Sequence, residues 1–253
     1  IYDKKFKKLY LARDFIGVKP LYYYFDNKRL IFASEAKGVC KLLNKSNKLN
    51  KDLINEYLFY KYISGTKTLI KNIYQLEPGV ICSIDLKNKN IKLNKKQYYY
   101  FKEEDNRDSI PEAVNKTKNL LEKSINLQLQ CDANLGIQLS GGIDSTVIAE
   151  MANRKKNINY SYLNSFDNYE LDESNYADKV SKKLSISLKK IKIDKKYFFK
   201  NLLKAIYFLD EPLNHPHSVA MLKISEIAKK NVSVVLAGEG ADEIFYGYER
   251  YKT

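Results

Sequence analysis

Two stretches of this chain repeat one design, and together they leave few folds open. In "LGIQLSGGIDSTVIAEMA", residues 135–152, the alternating apolar residues Leu135, Ile137 and Leu139 run into Ser140-Gly141-Gly142, then Asp144-Ser145-Thr146, then an apolar run. In "NVSVVLAGEGADEIFYGY", residues 231–248, Val232, Val234 and Leu236 alternate and end on Ala237-Gly238-Glu239-Gly240-Ala241-Asp242-Glu243. Alternation at period two predicts a short strand. Glycines at its end let the backbone turn through positive φ and approach a ligand closely. Asp144 or Ser145 can cap the helix that follows. Successive N–H groups in such a turn, with the helix N-terminus behind them, form a cradle for an anion. A plain strand–turn–helix without a ligand fits the same pattern.

The segments around these stretches predict two regions. Residues 7–14, 18–25 and 29–34 read as strands, with turns at Ile16-Gly17 and Asp26-Asn27. Residues 35–43 and 50–62 have helical spacing, the second opening on an Asn50 cap. Residues 74–101 read as a hairpin pair with Pro78-Gly79 as the turn before one strand, and the polar stretch 102–109 as a linker. Beyond it, helix 110–130 carries Pro111 in its first turn. Strands at 158–166 and 188–194 then alternate with helices at 172–186, 197–210 and 217–230. Alternating strands and helices predict an α/β fold, a parallel sheet with helices on both faces, whose ligands sit at the carboxyl ends of the strands. The tyrosine runs at 22–24 and 98–100 read as packing, with base stacking as the weaker alternative.

Charge and composition remove several classes of function. Forty-four basic residues against thirty acidic leave a formal +14, but the lysines are spread through every segment, which describes a solvated surface better than a nucleic-acid patch. No apolar run approaches the roughly 18 residues of a membrane span. Cys40, Cys82 and Cys131 are scattered and form no C-x-x-C, as expected of reduced thiols. His215 and His217 flank Pro216 with no Cys or third His nearby, so a loop pair is favoured over zinc. The chain opens on Ile1 and closes on Thr253 directly after a dense motif, and it reads as an internal fragment of a longer protein.

The first glycine loop lacks the lysine of the NTPase P-loop. Three carboxylates beside a phosphate cradle would repel a triphosphate, and Mg²⁺ held by Asp144 and Asp242 removes that conflict. Helix capping and dipole compensation account for Asp242 and Glu243 equally well.

Ser140-Gly141-Gly142-Ile143-Asp144-Ser145 resembles the PP-loop, S-G-G-x-D-S, of the ATP pyrophosphatases, which split ATP between its α- and β-phosphates. Together with "AGEGADEIFYGY", where Ala237 replaces the usual Ser, it resembles the glutamine-dependent asparagine synthetases. "LARDFIGVKPLYYY" and "FASEAKGVCKLL" look like the closing portion of a class II, N-terminal-nucleophile glutamine amidotransferase domain. "TLIKNIYQLEPGV" and "YYYF" are similar to the segment that joins it to the synthetase domain.

The resemblance implies an α+β amidotransferase portion and connecting segment over residues 1–101, and the N-terminal portion of an ATP-dependent synthetase domain over 110–253. It implies that aspartate is adenylated by ATP and that glutamine-derived ammonia displaces AMP, giving asparagine, AMP and pyrophosphate. Leu139, Ser140, Gly141, Gly142, Asp144 and Ser145 would surround the ATP, Asn164 would meet the adenine through its strand backbone, and Ala237 and Gly238 would contact the nucleotide. Glu239 would act as base toward ammonia, with a third Mg²⁺ ligand as its alternative role. The nucleophilic Cys of the family would precede Ile1, and a phosphate-binding Lys would follow Thr253. Glu211-Pro212 and "NHPHSVA" fall on the acceptor side of the pocket. The implied partners are aspartate, glutamine or ammonia, and ATP, with neither nucleic acid nor membrane, in a cytoplasmic protein for which a homodimer is allowed. Two further readings stay open: an amidotransferase for another carboxylate, such as a sugar or glycan precursor, and a non-catalytic ATP-binding paralogue.

Overall fold

The computed structural model describes residues 1–44, 48–87, 90–102, 107–166 and 172–251. They fall into two units, residues 1–105 with 206–214, and residues 106–205 with 215–253.

The first unit contains β1 (Tyr2–Asp3), β2 (Lys8–Ala12), β3 (Tyr22–Asp26), β4 (Arg29–Ala33), α1 (Ala36–Leu43), α2 (Ile54–Tyr60), β5 (Tyr74–Gln75), β6 (Val80–Asp85) and β7 (Leu93–Gln97). Two antiparallel sheets form, ordered β1-β2-β6-β7 and β4-β3-β5. Val80, Cys82 and Ile84 alternate inward along β6 and meet Leu11, Tyr23 and Leu76 in one core. On the other side of β3, Tyr22 and Tyr24 pack with Ile31 and Ala33 against Val39 and Cys40 of α1. The tyrosine run therefore splits by strand alternation between two cores, and it is packing. Residues 206–214 complete this unit: Lys37 pairs with Asp210 at 3.2 Å, and the Tyr57 hydroxyl donates to the Pro212 carbonyl.

Two expectations fail here for identifiable reasons. The expected strand 18–25 starts only at Tyr22, because the Asp14 carboxylate accepts the N–H groups of Gly17, Val18 and Lys19 at 2.7, 2.8 and 2.9 Å and folds that stretch into a turn. These bonds, the one from Lys19 foremost, hold the Asp14 carboxyl below its usual value. Asn50 does not cap a helix with its side chain, which donates instead to the Thr68 carbonyl at 3.5 Å; residues Lys51–Leu53 form a 3₁₀ turn before α2 begins. Of the expected linker 102–109, residues 103–106 lie outside the described residues.

The second unit contains α3 (Ile110–Leu129), β8 (Leu135–Gln138), α4 (Ile143–Lys155), β9 (Tyr160–Phe166), α5 (Ser174–Leu184), β10 (Ser187–Ile193), α6 (Lys195–Leu209) as far as Ala205, α7 (His217–Ala228), β11 (Val234–Leu236) and the short α8 (Ala241–Phe245). Helix α3 opens on a box in which Glu112 accepts from both the N–H and the hydroxyl of Ser109, at 2.8 and 2.6 Å. All four strands are parallel, in the order β10-β9-β8-β11. Leu135, Ile137 and Leu163 face Ile125, Ala149 and Ala177 of α3, α4 and α5. Tyr162 and Ile191 face Ala220, Ile224 and Ala228 of α7. Helices thus cover both faces of an α/β sheet, as expected. Gly136 sits under the Tyr162 ring, where a Cβ would lie 3.0 Å from Cε2. Among the described residues no helix is long and apolar enough to cross a membrane.

Candidate active site

Strand order reverses at β8, which lies between β9 and β11. In a parallel sheet the connections leave a crevice there, at the carboxyl ends of the strands. The loops after β8 and β11 are the two glycine loops, so topology alone brings them together.

The first loop is pinned at both ends. Leu139 is fully buried, and its N–H donates to the Tyr162 carbonyl at 2.9 Å. The Ser140 and Ser145 hydroxyls share a hydrogen bond of 2.9 Å; Ser145 Oγ also accepts from Ser140 N at 3.3 Å and lies 3.2 Å from the Gly142 carbonyl. Gly142 N in turn donates to Ser140 Oγ at 3.2 Å. These bonds curl the loop before α4. Gly142 is the N-cap of α4 and makes no side-chain cap bond, so neither Asp144 nor Ser145 caps the helix as expected. Ser145 is turned back into the loop, and Asp144 stands in the first turn, where helix partial charge favours a carboxylate.

Glycines fix how closely the elements meet. Gly141 has φ +88°, and a Cβ there would lie 2.5 Å from Ala177 N and 2.7 Å from Tyr176 Cβ, at the start of α5. Gly238 brings the second loop onto the first: its Cβ would lie 2.9 Å from Ser145 N and 3.1 Å from Asp144 Cβ. The result is a cavity of about 230 Å³ lined by Gln138, Ser140, Gly142, Asp144, Ser145, His217, Gly238, Glu239, Gly240, Asp242, Glu243 and Tyr248. Tyr248 donates its hydroxyl to Glu243 at 2.8 Å.

Of the residues named from the sequence, Ser140, Gly142, Asp144, Ser145, Gly238, Glu239 and Asp242 line this one cavity. Leu139 is core, and Gly141 lies against α5. Ala237 and Asn164 are not among its walls. The Asn164 side-chain oxygen and nitrogen are buried without a partner among the described residues, as are Gln138 Oε1 and the Tyr162 hydroxyl. Gln138 and Tyr162 are register partners on β8 and β9.

Sequence reading missed Gln138 and Tyr248 as cavity walls, and reached His217 only as a member of "NHPHSVA" on the acceptor side. Gln138 carried a signal, a polar residue at the end of an apolar strand. His217 opens α7, its N–H donating to His215 Nδ1 at 3.3 Å, and it also borders a second, apolar cavity of about 600 Å³ among Phe166, Ile193, Phe198 and Ala220.

The donor set fits Mg²⁺ in one way only. Among the described residues no three His, Cys, Asp or Glu converge to cage an ion. Asp144 and Asp242, hard-oxygen donors on the wall of the cavity that the serine and glycine loop also lines, suit an ion that is usually held by one or two carboxylates plus phosphate oxygens and keeps several waters.

Residues 116–253 match a family model described as asparagine synthase, and residues 1–100 match one described as a glutamine amidotransferase domain. A putative asparagine synthetase [glutamine-hydrolyzing] 2 of Methanocaldococcus jannaschii is 31% identical over 258 residues, covering 98% of this chain and 48% of that protein. Asparagine synthetase [glutamine-hydrolyzing] 1 of Bacillus subtilis is 29% identical over 252 residues, covering all of this chain and 39% of its own length. The chain spans about half the length of these curated relatives, or less. Among solved structures, an NMN synthetase from Francisella tularensis aligns with a TM-score of 0.38 and 24% identity over 56% of this chain and 59% of that one.

Proposed function

Since the chain belongs to the asparagine synthase family, we propose that it serves ATP-dependent amide synthesis: asparagine from aspartate and glutamine-derived ammonia, through a β-aspartyl-AMP intermediate, in the cytoplasm. On this reading residues 1–101 are amidotransferase and connecting segment, and 110–253 belong to the synthetase domain. One observation carries it: two glycine loops converge on a single cavity that combines a serine-rich anion cradle with Asp144, Glu239 and Asp242, and no lysine stands in the first loop.

A cradle without a lysine suits departing pyrophosphate. Ser140, Gly142 and Ser145, with the first N–H groups of α4, hold its oxygens and favour charge as it develops. Asp144 and Asp242 would hold Mg²⁺, which supplies charge neutralisation for the phosphates when bound. Leu139, Gly141, Ala237, Gly238 and the backbone at Asn164 shape the nucleotide side. Attack by the aspartate side-chain carboxylate on the α-phosphorus breaks the bond to the β-phosphate and releases pyrophosphate. Ammonia then attacks the acyl carbon, the acyl C–O bond to the phosphate breaks, AMP leaves with the former carboxylate oxygen and that bond's electron pair, and Glu239 takes the proton that ammonia sheds.

Product analysis tests this directly. With ATP, Mg²⁺, aspartate and either glutamine or ammonium, the full-length protein to which this chain belongs should form AMP and pyrophosphate in step with asparagine. ADP and phosphate as main products would refute the assignment. AMP formed only with another carboxylate would replace aspartate and leave the rest standing.

A further inference from the structure

Gly247 follows the short α8 in the second loop, and its reason for being glycine is unusual. Its φ lies outside the left-handed region, so the backbone does not require glycine there. Space does. A Cβ on Gly247 would fall on Asp242 Oδ1 and lie 3.0 Å from Cγ of the same carboxylate. The two residues are also tied through the backbone, since Gly247 N donates to the Asp242 carbonyl at 3.0 Å.

The two neighbouring acids are held by different means. Glu243 accepts a hydrogen bond from the Tyr248 hydroxyl. Asp242 accepts no hydrogen bond and forms no ion pair with its side chain among the described residues, yet it faces the cavity. Its rotamer is set by where it fits. We infer that Gly247 is a positioning residue whose missing side chain is the seat of the Asp242 carboxylate, and so sets where the second-loop metal ligand stands. This rests on the reading of Asp242 as a Mg²⁺ ligand.

The chemistry of the contact makes the inference testable. The group struck hardest is the free end of an acidic side chain, which can swing away by rotating about χ1, whereas Asp242 Cα, at 3.3 Å, need give by only a few tenths of an ångström. Gly247→Ala should therefore spare the fold and displace the ligand.

The experiment is calorimetric titration of the protein with ATP, without acceptor, at stepped Mg²⁺ concentrations. Gly247→Ala should raise the Mg²⁺ needed for half-maximal ATP binding by about 10–100-fold, the usual effect of losing a group that orients a metal ligand. In an Asp242→Ala background, Gly247→Ala should add nothing, because no carboxylate is left to displace. Unchanged Mg²⁺ dependence in the single variant overturns the inference, and so does an equal effect in the Asp242→Ala background. Should Gly247→Ala fail to fold, rescue by Asp242→Ala supports the seat, and failure of both variants refutes it. If Asp242→Ala itself leaves the Mg²⁺ dependence unchanged, the metal reading falls, and this inference with it.

Discussion

Replacing Gly141 by alanine should separate backbone strain from packing in the first loop. At φ +88° an alanine is in left-handed backbone, which costs about 1–2 kcal/mol. Its Cβ would also stand 2.5 Å from Ala177 N and 2.8 Å from Tyr176 C, backbone atoms at the start of α5 that cannot rotate away. Overpacking of that kind adds about 1–3 kcal/mol, so Gly141→Ala should cost about 2–5 kcal/mol. Gly240 provides the comparison within the same unit. It has φ +95° with nothing within 4 Å of its Cβ direction, so alanine there should cost the strain alone. With a urea slope of about 2 kcal/mol/M, the midpoints should fall by about 1–2.5 M for Gly141→Ala and about 0.5–1 M for Gly240→Ala. Circular dichroism across a urea series reads both. Equal midpoints, or the reverse order, would refute the claim that α5 rests on the first loop.

Three further outcomes are expected. In the full-length protein, Glu239→Gln should retain aspartate-dependent exchange of labelled pyrophosphate into ATP and lose amide formation by about 10²–10⁴-fold; loss of both would move Glu239 to the adenylation site, and no change would remove its role. Burial, then the neighbouring Asp210, pushes the Glu211 carboxyl up, so the folded chain holds that proton more tightly than the unfolded one. Stability from this group is therefore present below the unfolded value of about 4.3 and is lost as pH rises through the folded value; Glu211→Gln should flatten that limb of the denaturation midpoint plotted against pH, and an unaltered limb would count against it. Burial lifts the Cys82 thiol to about 11, so timed alkylation with mass spectrometry should label half-buried Cys131 well before Cys82, and simultaneous labelling would contradict the packing of β6.

What the sequence made legible was local. Period-two alternation at Leu135–Leu139 and Val232–Leu236 marked β8 and β11, and the glycines after them marked the cavity. A parallel sheet followed from the alternation of elements, because short connections permit little else. The unread parts depend on partners distant in the chain. Asn50 had the composition of a cap, but the Thr68 carbonyl, 18 residues on, took its amide. The two-residue β1 exists only through its pairing with β2. Gly141 and Gly238 announced freedom of φ, which Gly141 uses at +88°, but both also permit close approach, to Ala177 and to Ser145, which no local pattern encodes. His217 was legible only as half of a loop pair and as part of a segment on the acceptor side, because its place on two cavity walls depends on how α7 packs.

Completion of the first unit by residues 206–214 bears on how a ribosome delivers this protein. Leu69 and Ile70 share a cavity wall with Ile206, Tyr207 and Pro212, so on the nascent chain they must wait for about 140 further residues. At about 5–20 residues per second, that is roughly 7–28 seconds with an unfinished apolar surface outside the exit tunnel. Translation speed across α3 to α6, rather than across the strands of the first unit itself, therefore governs how long that surface is open to aggregation or to a chaperone. For the same reason, a chain cut at residue 101 would lack the opposite wall of that cavity and would leave Leu69 and Ile70 without it permanently.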